Sequence, residues 1–282
     1  MSHPVLKPGA VAVITGGAAG IGLATAKRFA AMGMRVCIAD LGAQKLLNAA
    51  EEIAEQALAG AEDVLALEAD VSRDTDLASL RKTVLERFGS VDVLMSNAGI
   101  QPATTTLDGA NWQQMIEVNL WGVIRSTQAF VPGMIEQGRP GLVIITGSKQ
   151  GITTPPGNPA YNVSKAGVKV FSESLQHQLR NTPGCAINAH LLIPGFVFTE
   201  LAAQGRKDKP AGAWTSEQTV DFMLERMEAG DFYILCPDND VPRALDERRI
   251  LWAAGDLVEN RPPLSRWHAD YGDAFEAFVQ GK

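Results

Sequence analysis

Between residue 11 and about residue 236 the chain alternates short apolar runs rich in β-branched residues with longer stretches of helical periodicity. The runs are VAVIT (11–15), RVCIAD (35–40), VLALEAD (64–70), VDVLMS (91–96), GLVIITG (141–147), AINAHLLI (186–193) and FYILC (232–236). Helical stretches cover 20–32, 42–59, 73–88, 109–136, 159–181 and 216–229. Strands that are apolar almost throughout are buried on both faces, and strands separated by helices pair in parallel. The pattern predicts an α/β fold: a doubly wound parallel sheet of about seven strands flanked by helices.

At 282 residues with 46% hydrophobic content, one large domain accounts for the whole chain, 1–282. GRPG and TPG read as turns inside it. The polar segment 200–214, with Gly205, Pro210 and Gly212 after a strand end, reads as a mobile loop or lid, and 200–230 is the expected lid region. The tail, 238–282, carries Trp252, Trp267, Tyr271, Phe275 and Phe278. It is expected to be helical and docked on the same domain.

Charge narrows the function. Twenty-five Lys and Arg against 32 Asp and Glu leave −7, with no basic stretch able to follow a phosphate backbone, so no nucleic acid is expected. An anionic substrate would need a local exception. Cys37, Cys185 and Cys236 are odd in number, far apart and set in apolar runs, which reads as reduced thiols. The four histidines have no metal-ligand spacing, so no metal is expected. The start lacks signal-peptide features and no run reaches spanning length, so the expected location is cytoplasmic, away from membrane.

TGGAAGIG (15–22) follows the first strand directly and opens a helix. Glycine there permits a sharp turn and lets a pyrophosphate approach the N–H groups at the helix N-terminus. Tight helix–sheet packing would select the same glycines. Asp40 ends the second strand, where a carboxylate accepts hydrogen bonds from ribose hydroxyls and repels a 2′-phosphate, so the cofactor expected is NAD. A solvated Asp at a strand end reads identically, and methyltransferases that use S-adenosylmethionine share both features.

The second half decides between them. Ser148 falls at the carboxyl end of the fifth strand, and PPGNPAY offers Asn158 as N-cap and Pro159 at the first helical position. Tyr161 then lies in the first turn with Lys165 at i+4 on the same face. A nearby ammonium favours the phenolate and is expected to draw the Tyr161 pKa down toward working pH.

These motifs resemble the short-chain dehydrogenase/reductase family. The family pattern is met by TGGAAGIG, SNAGI (96–100), Asn119 in EVNLWG, Ser148, YNVSK (161–165) and PGFVFT (194–199), over residues 11 to about 200. The resemblance implies that Tyr161 is the general base or acid, that Ser148 bonds the substrate oxygen, and that Lys165 serves the phenol and the nicotinamide ribose. Asn119 would hold a proton-relaying water through its backbone, although its apolar helical face also suits a satisfied core amide. Gly16, Gly20, Ile21, Gly22, Asn97 and Gly99 would line the cofactor cleft, and Asp70 with Val71 would meet the adenine. Pro194 and Gly195 would back the nicotinamide, with Val197 and Thr199 on its carboxamide. Asp70 and Thr199 are equally good caps for the segments after them.

The reading is an NAD-dependent dehydrogenase of secondary alcohols, implied by the resemblance to be a homodimer or homotetramer joined by the helices at 109–136 and 159–181. The alternative is a catalytically silent NAD-binding regulatory or scaffold protein. Ile100, Gln101, Pro155, Phe196, Phe198, Leu201 and Trp214 are candidate walls of a mostly apolar substrate pocket, with Lys149 and Gln150 as polar contacts. Bulky hydrophobic or aromatic small-molecule substrates suit such a pocket.

Overall fold

The computed structural model describes residues 3–281 apart from Ala59 and Gln204. Ala59 at the end of the expected second helix, Gln204 in the expected lid, Met1 and Ser2 at the start, and Lys282 at the end of the tail lie outside the described residues.

Seven parallel strands, β1 Val11–Thr15, β2 Arg35–Asp40, β3 Val64–Glu68, β4 Val93–Ser96, β5 Gly141–Thr146, β6 Ile187–Ile193 and β7 Tyr233–Leu235, form one sheet in the order β3-β2-β1-β4-β5-β6-β7. The chain winds outward from β1 in one direction and from β4 in the other. Ligands of open parallel sheets bind where such a reversal opens a crevice at the carboxyl ends of the strands. Two apolar layers cover the two faces, one built around Phe29, Ile38 and Met223 and the other around Leu77, Phe130 and Leu179.

The helices are α1 Gly20–Ala31, α2 Ala43–Ala54, α3 Asp74–Phe88, α4 Trp112–Ile116, α5 Gly122–Glu136, α6 Gln150–Thr153, α7 Pro159–Asn181, α8 Glu200–Ala203, α9 Ser216–Glu228, α10 Arg243–Val258 and α11 Gly272–Gln280. Among the described residues no helix is long and apolar enough to cross a membrane. Most boundaries fall within a residue of expectation, but the helix expected over 42–59 ends at Ala54, and the start of β4 and the end of β3 each move by two residues. β4 begins at Val93 rather than Val91, because the Gln137 side-chain amide takes both backbone groups of Val91, at 3.1 and 2.8 Å. β3 stops before Asp70, whose carboxylate accepts from the Ser72 N–H at 2.9 Å and turns the chain.

The expected helix over 109–136 is α4 and α5 joined by a π-turn at Glu117–Trp121. Of the expected lid, 216–228 is α9, which carries a Thr215 capping box and buries Val220, Met223 and Met227 in the core. Residues 213–214 are also anchored, since Trp214 exchanges backbone hydrogen bonds with Phe196 and Phe198 at 2.9 Å each. The tail, α10 and α11, packs around one aromatic cluster. Trp252 is buried between the Phe275 and Phe278 rings, at centroid distances of 5.4 and 5.3 Å, and its indole N–H donates to Ser265 at 2.8 Å.

Candidate active site

A cleft of about 1330 Å³ opens at the carboxyl ends of the strands. Gly16, Gly20, Ile21, Asp40, Asp70, Val71, Asn97, Gly99, Pro194, Gly195, Val197 and Thr199 line it, together with Ser148, Tyr161 and Lys165. Two expected site residues, Gly22 and Asn119, stand behind its wall.

Gly16 has φ +64°, and a Cβ there would lie 2.7 Å from the Ala98 Cα. At Gly22 a Cβ would sit 2.2 Å from the Gly16 carbonyl oxygen and 2.7 Å from the Asn97 amide nitrogen. Gly22 therefore serves close packing of α1 against the turn, which holds the turn's shape. The Asp40 carboxylate braces the same turn, accepting from Ala18 N–H at 3.0 Å on one oxygen and from Leu41 N–H at 2.8 Å on the other. Each oxygen keeps a further lone pair for a ribose hydroxyl. The sequence reading missed Lys45, which lines the cleft near Asp40 and pairs with Glu200 at 3.2 Å.

Asp70 and Thr199 both shape the chain locally and stand at the cleft. Asp70 turns the chain after β3, Thr199 Oγ1 accepts from the Ala202 N–H at 3.3 Å, and both line the cleft. Asn97 bridges the two halves of the site. Its amide donates to the Gly16 carbonyl at 3.1 Å and accepts from the Thr146 hydroxyl at 3.0 Å. The Thr146 carbonyl in turn accepts from Lys165 Nζ at 2.8 Å. A continuous path of bonded groups thus runs from the catalytic-end lysine to the glycine turn.

Tyr161 enters from the first turn of α7, capped by Asn158 with Pro159 following, as the sequence predicts. Lys165 Nζ stands 5.8 Å from the Tyr161 ring centroid. The expected lowering of the phenol is corrected by the burial of the pair. Desolvation raises the Tyr161 pKa, with the Ser148 hydroxyl pulling it the other way, and desolvation brings Lys165 itself down to about 8. The phenol of the chain alone is therefore a proton donor at neutral pH.

The Asn119 side chain is fully used as a positioning group. Its Oδ1 accepts from Ile100 N–H and its Nδ2 donates to Ile100 O, both at 2.8 Å, fixing the loop that forms one wall of the cleft. Ile100, Gln101, Phe196, Leu201, Lys149 and Gln150 line the cleft as expected, whereas Pro155, Phe198 and Trp214 do not. Trp214 packs its ring edge on Phe222 at 5.7 Å instead.

Lys149 is also held by the tail, 2.5 Å from Asp246 of α10 and 3.4 Å from Asp238. Gly195 makes room for this cluster, since a Cβ there would lie 2.6 Å from Asp238 Oδ2 and 2.7 Å from Lys149 Nζ. Nothing in the local sequence around Lys149 announces partners so distant.

A glycine turn under a switch-point crevice, a strand-end carboxylate, and a Ser, Tyr and Lys group at the far end define a dinucleotide-dependent oxidoreductase. Residues 10–210 match the family model for short chain dehydrogenases, and the chain belongs to that family. It is 31% identical over 266 residues to the 1-deoxy-11-beta-hydroxypentalenate dehydrogenase of Streptomyces exfoliatus, covering 92% of this chain and 94% of the relative. A short-chain dehydrogenase/reductase from Burkholderia phymatum, solved in complex with NAD, superposes with TM-score 0.81 at 27% identity, covering 93% of this chain and 98% of that one. An alcohol dehydrogenase from the archaeon Thermococcus sibiricus, complexed with 5-hydroxy-NADP, gives TM-score 0.68 at 27% identity, covering 78% and 90%. Solved neighbours thus hold either nicotinamide dinucleotide.

Proposed function

We propose that the chain is an NAD-dependent dehydrogenase that moves a hydride between a secondary alcohol and its ketone, with Tyr161 transferring the hydroxyl proton. The observation that carries this reading is the sharing of one cleft by the braced Asp40 turn and by Ser148, Tyr161 and Lys165. The cradle fits a dinucleotide, because Gly16, Gly20 and Ile21 line the cleft where α1 begins, close packing at the glycines leaves no side chain there, and Asp40 keeps acceptor capacity at the ribose position. Bound NAD would supply the hydride acceptor and, in its oxidised form, a positive charge beside the phenol.

The chain's own residues do the rest. The Ser148 hydroxyl holds the substrate oxygen against Tyr161. For ketone reduction, buried and protonated Tyr161 donates to the developing alkoxide; for oxidation, the phenolate takes the hydroxyl proton. Lys165 stabilises that phenolate and is held in place by Thr146. Ile100, Phe196 and Leu201 favour a bulky hydrophobic or aromatic substrate skeleton. Of the expected lid, Glu200, Leu201 and Ala202 line the cleft. Trp121, Val163 and Val170 expose apolar surface on the helices expected to join subunits, which supports a homo-oligomer; sedimentation as a monomer would remove that part of the reading.

Kinetics with both cofactors test the reading. NAD is expected to exceed NADP by about 10²-fold in kcat/KM, since two charge-assisted hydrogen bonds from ribose and repulsion of the extra phosphate act together. Asp40→Ala shrinks the gap, chiefly by weakening NAD. Tyr161→Phe lowers turnover by roughly 10²- to 10⁴-fold and leaves NADH affinity near wild type. Equal use of the two cofactors would reject the role given to Asp40. An NADH fluorescence change on binding, without turnover across a broad panel of alcohols and ketones, would point to a silent binding protein instead.

A further inference from the structure

A chain with a net charge of −7 binds an anion only where positive charge is locally in excess. The substrate end of the cleft has such an excess. Lys149, Asp238 and Arg249 form its wall beyond Ser148. The charge of Lys149 is met twice, by Asp246 and Asp238. Arg249, three residues along α10 from Asp246, feels the charge of that carboxylate, but among the described residues its guanidinium makes no hydrogen bond or close ion pair with it or with any other group, and its Nε is closed off from solvent with no acceptor. Arg266 adds a third cation nearby, stacked on Trp267 and Phe275 at 4.7 and 5.0 Å, and it shares a small second cavity with Arg249. Lys149 holds Asp246 and Asp238, and Asp256, which lines the second cavity, is bonded by Arg261 at 3.0 Å.

A guanidinium kept partly buried without an acceptor carries an uncompensated desolvation cost, and its planar fork suits a carboxylate bidentately. We propose that Arg249 is a specificity-determining residue that receives a carboxylate of the substrate, so that the natural substrate is a secondary-alcohol acid or the matching keto acid. The inference rests on the dehydrogenase reading above and names its substrate class. The carboxylate sits at the Arg249 end of the cleft, the reacting carbinol at Ser148 and Tyr161, and the apolar skeleton against Ile100, Phe196 and Leu201.

The test uses matched pairs of aromatic hydroxy acids and their methyl esters, oxidised by the full chain with NAD. Wild type is expected to favour the acid by about 10- to 100-fold in kcat/KM, the range of a charge-assisted hydrogen bond. Arg249→Met removes that advantage, lowering the acid rate by about the same factor and the ester rate by no more than about threefold. Arg249→Lys restores part of the preference, and NADH affinity in both variants reports an intact fold. Keto acids are also expected to raise the melting temperature of the NADH complex in wild type and much less in Arg249→Met. Esters turned over as well as acids, or equal losses on both in Arg249→Met, overturn the carboxylate site while leaving the dehydrogenase intact. Absence of turnover for every pair rejects the dehydrogenase reading, and a melting shift independent of Arg249 overturns the present inference on its own.

Discussion

The two ends of the cleft are built from different materials. At the cofactor end, the turn from Gly16 to Gly22 is fixed by steric fit and by the uncharged groups of Asn97 and Thr146, with Asp40 the one charged brace. At the substrate end, position depends on charges removed from water: Lys149 between Asp246 and Asp238, with Arg249 beside them. Steric fit is local and insensitive to pH or salt, whereas buried charge is expensive to assemble and sensitive to every partner. The cofactor end can therefore stay constant while the substrate end is re-tuned by exchanging a few charged residues on the tail.

The largest expected effect is on the charged end. Asp246→Ala leaves Lys149 with only its longer contact to Asp238 and is expected to cost about 2 to 4 kcal/mol of stability, the scale for breaking a buried pair. Turnover should fall with it, while NADH affinity changes little. Urea melts and NADH titration of the variant check this, and a parallel collapse of NADH affinity would show that the two ends are one mechanical unit. The converse change is Gly22→Ala, where the new Cβ meets the Gly16 backbone carbonyl on one side and the hydrogen-bonded Asn97 side-chain amide on the other. It is expected to cost about 1 to 3 kcal/mol and to abolish tight NADH binding while the Trp252 environment, read by fluorescence, stays native.

The smallest effect concerns Lys165, where the two ends meet. Its folded pKa of about 8 lies below the ordinary 10.5, so between those values the folded chain holds fewer protons than the unfolded one and stability rises with pH. The penalty is complete below about pH 8 and gone above about 10.5. Lys165→Met is expected to stabilise the protein at pH 7 by about 1 to 2 kcal/mol, after the lost bond to Thr146 is set against it, with the gain fading toward pH 10. Thermal melts at both pH values check the sign, and a gain that does not fade would place the effect in packing. On the proposed mechanism activity is expected to fall in either case, and this lysine would then be a site where function opposes stability.

Much of this was readable before the structure. The period of the apolar runs carried the sheet, and Asn158 with Pro159 carried the start of the helix bearing Tyr161, because caps and periodicity act within a few residues. The π-turn around Asn119 was not readable. Within it one amide grips both backbone groups of Ile100, 19 residues away. The strand start at Val91 was likewise hidden by Gln137, whose partner lies 46 residues distant. The role proposed for Arg249 was invisible for the same reason, since only the fold shows that the carboxylates near it are bonded to Lys149 and Arg261.

The pairing of Lys149 with the tail also sets an order of events in time. Asp238, one of its two counter-charges, is encoded 89 residues downstream, and Asp246 lies further still. At about 5–20 residues per second, a ribosome takes several seconds or more to deliver them. During that interval the glycine turn, Asp40 and Asn97 are already made, whereas the loop after β5 carries an unanswered cation and keeps water around it. The newborn chain can thus acquire its cofactor cradle first, and the reaction chamber closes only when the final helices arrive.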